Sequence, residues 1–97
     1  MKIVKEALAG TLESSDLLVR VAPAEGEFSL ITHSEVQKQF GEQIRKVAEQ
    51  TLQQLGVKEG IFILEDKGAL DCVIRARLQS AVLRAANVEQ IDWEKLQ

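Results

Sequence analysis

The sequence predicts an α+β two-layer sandwich, with a mainly antiparallel sheet of about four strands backed by two amphipathic helices in the order β-β-β-α-β-α. Three observations carry this. Residues 17–22 alternate in period two, residues 34–55 and 70–85 repeat apolar positions at helical spacing, and neither a repeat nor a linker interrupts the 97 residues. A chain of that length is the size of one domain, taken here as residues 1–97.

The elements follow in order. Ile3 to Leu12 reads as a first strand, although Ala7, Ala9 and Gly10 are weak strand formers. Leu17, Val19 and Val21 alternate with Leu18, Arg20 and Ala22 as a second strand. Pro23-Ala24-Glu25-Gly26 has turn chemistry, because proline presets φ and glycine accepts positive φ. Phe28 and Leu30 then alternate with Glu27 and Ser29, so the second and third strands are expected to pair as an antiparallel hairpin.

Ser34 stands as an N-cap and Gln37 completes a capping box. Val36, Phe40, Ile44, Val47, Thr51, Leu52 and Leu55 follow on one helical face, with Gly56 where a helix end wants a left-handed residue. Ile61-Phe62-Ile63-Leu64 is a short apolar run between Gly60 and Glu65-Asp66-Lys67-Gly68, the pattern of a buried strand. Leu70, Val73, Ile74, Leu78, Ala81, Val82 and Ala85 define a second helix, with an expected i,i+4 pair of Asp71 and Arg75 and an end at Asn87. Residues 88–97 carry the only tryptophan, Trp93, and are expected to dock as a loosely ordered tail.

Composition narrows the function. Apolar residues make up 45% and charged residues 28%, the balance of a folding chain rather than a disordered one. Twelve basic against 15 acidic side chains give a net charge of −3, which argues against a nucleic-acid partner. No apolar run approaches the ~20 residues of a membrane helix, and Met1-Lys2-Ile3-Val4-Lys5-Glu6 is too polar for a signal peptide. A lone cysteine forms no internal disulfide, so a reducing, cytoplasmic setting is expected. One His, one Cys and no Tyr leave little for a zinc site or a Ser-His-Asp triad, and the balance favours a binding module, a carrier or a subunit over a self-sufficient enzyme.

Ala9-Gly10-Thr11-Leu12-Glu13-Ser14-Ser15-Asp16 joins the first two strands with two serines and two carboxylates. Its plain reading is a turn whose side-chain oxygens satisfy backbone N–H groups; its sharper one is a serine exposed for another protein. No adjacent His or Lys activates either serine as a catalytic nucleophile. Cys72, near the apolar face of the second helix, is expected to be buried and inert. His33 is expected to have a surface or capping role. Arg75, Arg77 and Arg84 with Lys67 form either a solvated face with local ion pairs or a patch for phosphates or an acidic partner; Arg77 and Arg84, seven apart, share a face. Trp93 is either a tail anchor or an interface residue.

The Ala9–Asp16 stretch resembles the acyl carrier protein, or γ subunit, of citrate lyase. Val36-Gln37-Lys38-Gln39-Phe40-Gly41, Asp66-Lys67-Gly68-Ala69-Leu70-Asp71-Cys72, Arg75-Ala76-Arg77 and Trp93 extend the likeness over essentially the whole chain, in order. Gln37 stands where the family often has Glu. Members vary between Ser and Gly at the position of Ser15, which leaves Ser14 as the match to the family's modified serine. The resemblance implies a covalently bound cofactor, 2'-(5''-triphosphoribosyl)-3'-dephospho-CoA, held on Ser14 as a phosphoribosyl dephospho-coenzyme A arm whose thiol carries acetyl and citryl groups. It implies a non-catalytic carrier working with an acyltransferase α subunit and a citryl lyase β subunit, and loaded by a prosthetic-group transferase, in cleavage of citrate to acetate and oxaloacetate. The rival expectations are a carrier of a related system such as malonate decarboxylase, and an interaction module that carries nothing.

Overall fold

A computed structural model describes residues 1–34 and 39–86. The elements are β1 (Ala7–Gly10), β2 (Leu17–Ala22), β3 (Phe28–Ser34), α1 (Gln39–Gln54), β4 (Gly60–Asp66) and α2 (Asp71–Ala85). The four strands form one sheet in the order β1-β2-β4-β3. β1 pairs with β2 and β2 with β4 antiparallel, while β3 and β4 run parallel. The α+β class, the element order and the mainly antiparallel sheet are therefore as the sequence predicts.

The expected β2–β3 hairpin is not formed. β4 lies between these strands, with Val21 opposite Phe62 on one side and Leu30 opposite Phe62 on the other. Turn chemistry at Pro23–Gly26 reverses the chain but does not decide which strand comes alongside. β4 has Phe62 and Leu64 fully buried and Ile61 and Ile63 partly so, and it gains most from the centre, where both of its hydrogen-bonding edges are paired. α1 then serves as the crossover that parallel β3 and β4 require. Among the described residues the one hairpin is β1–β2, and β1 is shorter than the expected Ile3–Leu12 strand.

One face of the sheet meets the helices. Leu17, Val19, Val21, Phe62 and Leu64 point inward by the period of two and pack with Ile44, Val47, Ala48, Leu52, Ile74, Leu78, Ala81 and Val82. The opposite face carries Leu8, Leu18, Arg20, Ile31, Ile61 and Ile63, none of them fully buried. Both edge strands are engaged by arginine: Arg84 Nη1 donates to the Leu8 carbonyl on β1 at 2.7 Å, and Arg45 Nη1 donates to the Leu30 carbonyl on β3 at 2.8 Å.

The end of α1 is as its sequence predicts. Gly56 takes φ +69°, its N–H donates to the Gln53 carbonyl and the Val57 N–H to the Leu52 carbonyl, which is a Schellman closure. Ser34 ends β3 and its hydroxyl donates to Asp66 Oδ2 at 2.9 Å, while residues 35–38, on which its expected capping of the helix falls, lie outside the described residues. Asp66, 3% exposed at the end of β4, also accepts the Ala69 N–H at 2.9 Å. This carboxylate ties the ends of two parallel strands to the turn before α2. Gln37, the Asn87 helix end, Trp93 and the expected tail at 88–97 lie outside the described residues.

Candidate functional site

The β1–β2 connection is built in layers. Gly10 ends β1 at φ +91°, and a Cβ there would fall 1.8 Å from the Leu17 carbonyl oxygen, so only glycine lets the two strands close at this point. Beyond it the Thr11 hydroxyl donates to Asp16 Oδ2 at 2.6 Å while accepting the Glu13 N–H at 3.2 Å. The Asp16 N–H donates to the Glu13 carbonyl at 3.1 Å and closes the turn around Ser14 and Ser15. Asp16 Oδ1 accepts the Leu17 N–H at 2.7 Å. The expectation that side-chain oxygens satisfy this turn is met by Thr11 and Asp16.

Two distant segments hold the turn from outside. The Ser15 N–H donates to the Lys67 carbonyl and the Lys67 N–H to the Asp16 carbonyl, each at 2.9 Å. From α2, Arg77 donates through Nε to Asp16 Oδ1 and through Nη2 to Asp16 Oδ2, both at 3.0 Å. This bidentate pair accounts for the role of Arg77 left open by the sequence. Its signal there was only a polar turn with one Asp and a helix with several arginines, and the partners are 61 residues apart.

The Arg77 guanidinium, followed by the Thr11 hydroxyl, holds the Asp16 carboxyl down at about 2, below its ordinary value of 3.8. The folded value is depressed, so Asp16 contributes stability that is present above about pH 4 and lost as pH falls through about 2. Denaturant unfolding of the wild type and Asp16→Asn should differ by a constant amount at pH 5–7, and the difference should shrink progressively below about pH 4. A difference that persists unchanged at pH 2 would contradict the ion pair.

Ser14 and Ser15 are both exposed, and they are not equivalent. Ser15 sits at φ +65°, the only described non-glycine residue with positive φ. That conformation is one glycine takes freely and L side chains disfavour, by roughly 1–2 kcal/mol. Ser15 is fixed through its backbone, its N–H donating to the Lys67 carbonyl. Among the described residues the Ser14 hydroxyl makes no hydrogen bond.

The remaining candidates are dispersed. Cys72 is exposed, not buried. The buried stripe of α2 runs through Ile74, Leu78, Ala81, Val82 and Ala85, and Cys72 is about 200° around the helix from Ile74. It lines a cavity of about 560 Å³ with Ile44, Ala69, Leu70, Asp71 and Ile74. A maleimide should label Cys72 in the native protein at a rate within a few-fold of that in denaturant; slow native labelling would show a covered thiol. Leu70 is 70% exposed and serves only as the backbone N-cap of α2. The Asp71 carboxylate accepts from Gln43 Nε2 at 3.1 Å instead of pairing with Arg75, which is exposed. Arg84 engages the β1 edge, sharing with Arg77 a helix face turned to the hairpin. His33 is exposed on β3 beside Glu65. Among the described residues no group of three or more His, Cys, Asp or Glu side chains is placed to hold a metal ion, and no helix is long and apolar enough to cross a membrane.

The comparisons with known proteins agree with one another. The family model for the malonate decarboxylase delta subunit (MdcD) matches residues 4–85. The citrate lyase acyl carrier protein of Enterobacter sp. (strain 638) is 68% identical over 96 residues, covering 99% of each chain. That of Pectobacterium atrosepticum is also 68% identical over 96 residues, covering 99% of this chain and all of the relative. That of Vibrio cholerae is 53% identical over 97 residues. No solved structure matches the chain significantly.

Proposed function

This chain belongs to the citrate lyase acyl carrier protein family, and from that premise we propose that it is the carrier subunit of a citrate lyase, loaded covalently at Ser14. The observation that carries the site is the state of Ser14: an exposed hydroxyl with no partner among the described residues, on a turn fixed from both sides by Asp16, Lys67 and Arg77. The residues present fit a prosthetic group joined through a phosphodiester. An attachment oxygen must be free to meet phosphorus and must not be buried, and Ser14 meets both conditions.

The group, a phosphoribosyl dephospho-coenzyme A arm, supplies the thiol that holds acetyl and citryl groups as thioesters. The chain's own part is different. Ser14 Oγ would attack phosphorus of the triphosphate donor and form the phosphate ester as the phosphoanhydride bond breaks and pyrophosphate leaves, with the serine proton accepted by the transferase. The body then presents the tethered arm to an α acyltransferase and a β citryl lyase. Tethering turns the two encounters into intramolecular ones at high effective concentration. No catalytic group is needed on the carrier; of the two carboxylates of the turn, that of Asp16 is saturated by Arg77, Thr11 and the Leu17 N–H. A cytoplasmic setting suits the exposed thiol of Cys72.

The second reading, carrier of a malonate decarboxylase, is favoured by the family-model match alone. Affinity purification of the full chain with its native partners decides between them. Citrate lyase α and β subunits should co-purify, and the carrier's intact mass should exceed the chain mass by one arm. Recovery of malonate decarboxylase subunits instead, or an unmodified mass in an active complex, would overturn the proposal.

A further inference from the structure

We propose that Arg77 is the positioning residue for loading: from α2 it sets the turn conformation that presents Ser14 to the modifying enzyme. The proposal rests on the reading of Ser14 as the modified serine. Arg77 does not act on Ser14 directly. Its two N–H groups grip both oxygens of Asp16, Asp16 Oδ2 accepts the Thr11 hydroxyl, and Thr11 Oγ1 accepts the Glu13 N–H. The relay runs from the helix to the backbone of the residue immediately before Ser14. On the other side, the Ser15 N–H and the Asp16 carbonyl are both bonded to the Lys67 backbone.

The stem of Arg77 has a part as well. Its Cδ would lie 3.2 Å from a Cβ on Gly10, so the side chain passes over the end of β1 before reaching Asp16 at the start of β2. One residue therefore spans the neck of the hairpin. Because the Ser14 hydroxyl has no bond of its own among the described residues, its position is inherited entirely from this backbone. Transfer to a phosphorus atom is sensitive to that position, a misplacement of about 1 Å costing about 100-fold in rate. A bidentate guanidinium fixes direction as well as distance, which an ammonium does not.

The test uses the full chain, the prosthetic-group transferase and its activated donor, with Arg77→Met, which keeps the stem, and Arg77→Lys, which keeps the charge. Loading is followed by intact mass, the adduct is located by peptide mapping, and amide hydrogen exchange is measured on the unloaded proteins. In Arg77→Met we expect kcat for loading to fall about 10- to 100-fold with KM for the carrier within about threefold of wild type. We expect Arg77→Lys to recover part of that loss. The Ser15 amide should lose tenfold or more of its protection while the amides of Phe62 and Leu78 keep theirs. Loading of Arg77→Met at the wild-type rate, a loss confined to KM, or an equal loss of protection in sheet and helix would each overturn the proposal. If Arg77→Met does not fold, Thr11→Val cuts the same relay and is held to the same outcomes. A wild-type adduct on a serine other than Ser14 instead overturns the functional reading, an outcome that mapping separates from an unchanged rate at Ser14.

Discussion

Alanine at Ser14 is expected to give a folded protein that gains no mass from the prosthetic-group transferase. The expected loss of loading is complete, because the other serine of the turn, equally exposed, is held in a different backbone conformation. The Thr11 hydroxyl is committed to Asp16, and Ser15 is held at φ +65° with its N–H bonded to Lys67, so its side chain leaves the backbone in a different direction. Folding should be unaffected, since an exposed hydroxyl without partners contributes little, within about 0.5 kcal/mol. Ser14→Ala should still assemble with α and β subunits, which separates docking from loading. Ser15→Gly should load normally and be slightly stabilised, because glycine relieves the left-handed strain. An adduct that persists in Ser14→Ala, detected by intact mass and mapped by peptide analysis, identifies a different serine and ends the assignment.

Alanine at Gly10 is expected to be the most damaging small substitution near the site. Two costs add. The residue sits at φ +91°, worth about 1–3 kcal/mol for an L side chain, and its Cβ would occupy the same space as the Leu17 carbonyl, where overpacking adds about 1–3 kcal/mol. A total of about 2–6 kcal/mol is a large share of the 5–15 kcal/mol that holds a small domain together. Gly26→Ala is the matched control: its φ is +68° but a Cβ there meets nothing within 4 Å, so only the conformational cost applies. Urea unfolding of the two variants should rank them clearly. Equal stabilities would mean that the hairpin neck opens at little cost, and would weaken the case that its geometry matters for loading.

The features legible in the sequence are those decided within a few residues. The period of two through β2, the apolar stripe of α1 from Ile44 to Leu55 and its stop at Gly56 depend on local spacing and on one backbone conformation. The placement of β3 was not local. Pro23–Gly26 turns the chain well enough, yet whether β2 and β3 touch depends on competition from a strand 30 or more residues further along, and β4 wins the central position because it carries Phe62 and Leu64. Ser34 shows the same limit at the scale of one hydroxyl: it donates to Asp66 across 32 residues, a contact that no local pattern announces. Cys72 was misplaced by the choice of apolar stripe, since counting Leu70 and Val73 rotates the buried face of α2 toward it. At the candidate site, the resemblance pointed to Ser14 and the residue pattern located a polar turn. The ion pair that organises the turn joins Asp16 to Arg77 across 61 residues and leaves no periodic trace.

The arginines on the two edge strands also bear on how the molecule behaves in company. A β-sheet border is a template on which a further chain can be laid. Here Arg84 occupies the Leu8 carbonyl on one side and Arg45 the Leu30 carbonyl on the other, each placing a cation where an incoming strand would have to dock. The sheet is thereby stoppered at both ends. Copies can crowd together as separate beads without zipping into ribbons, and what remains open to a neighbour is the exposed face of the sheet and the loop at the hairpin tip.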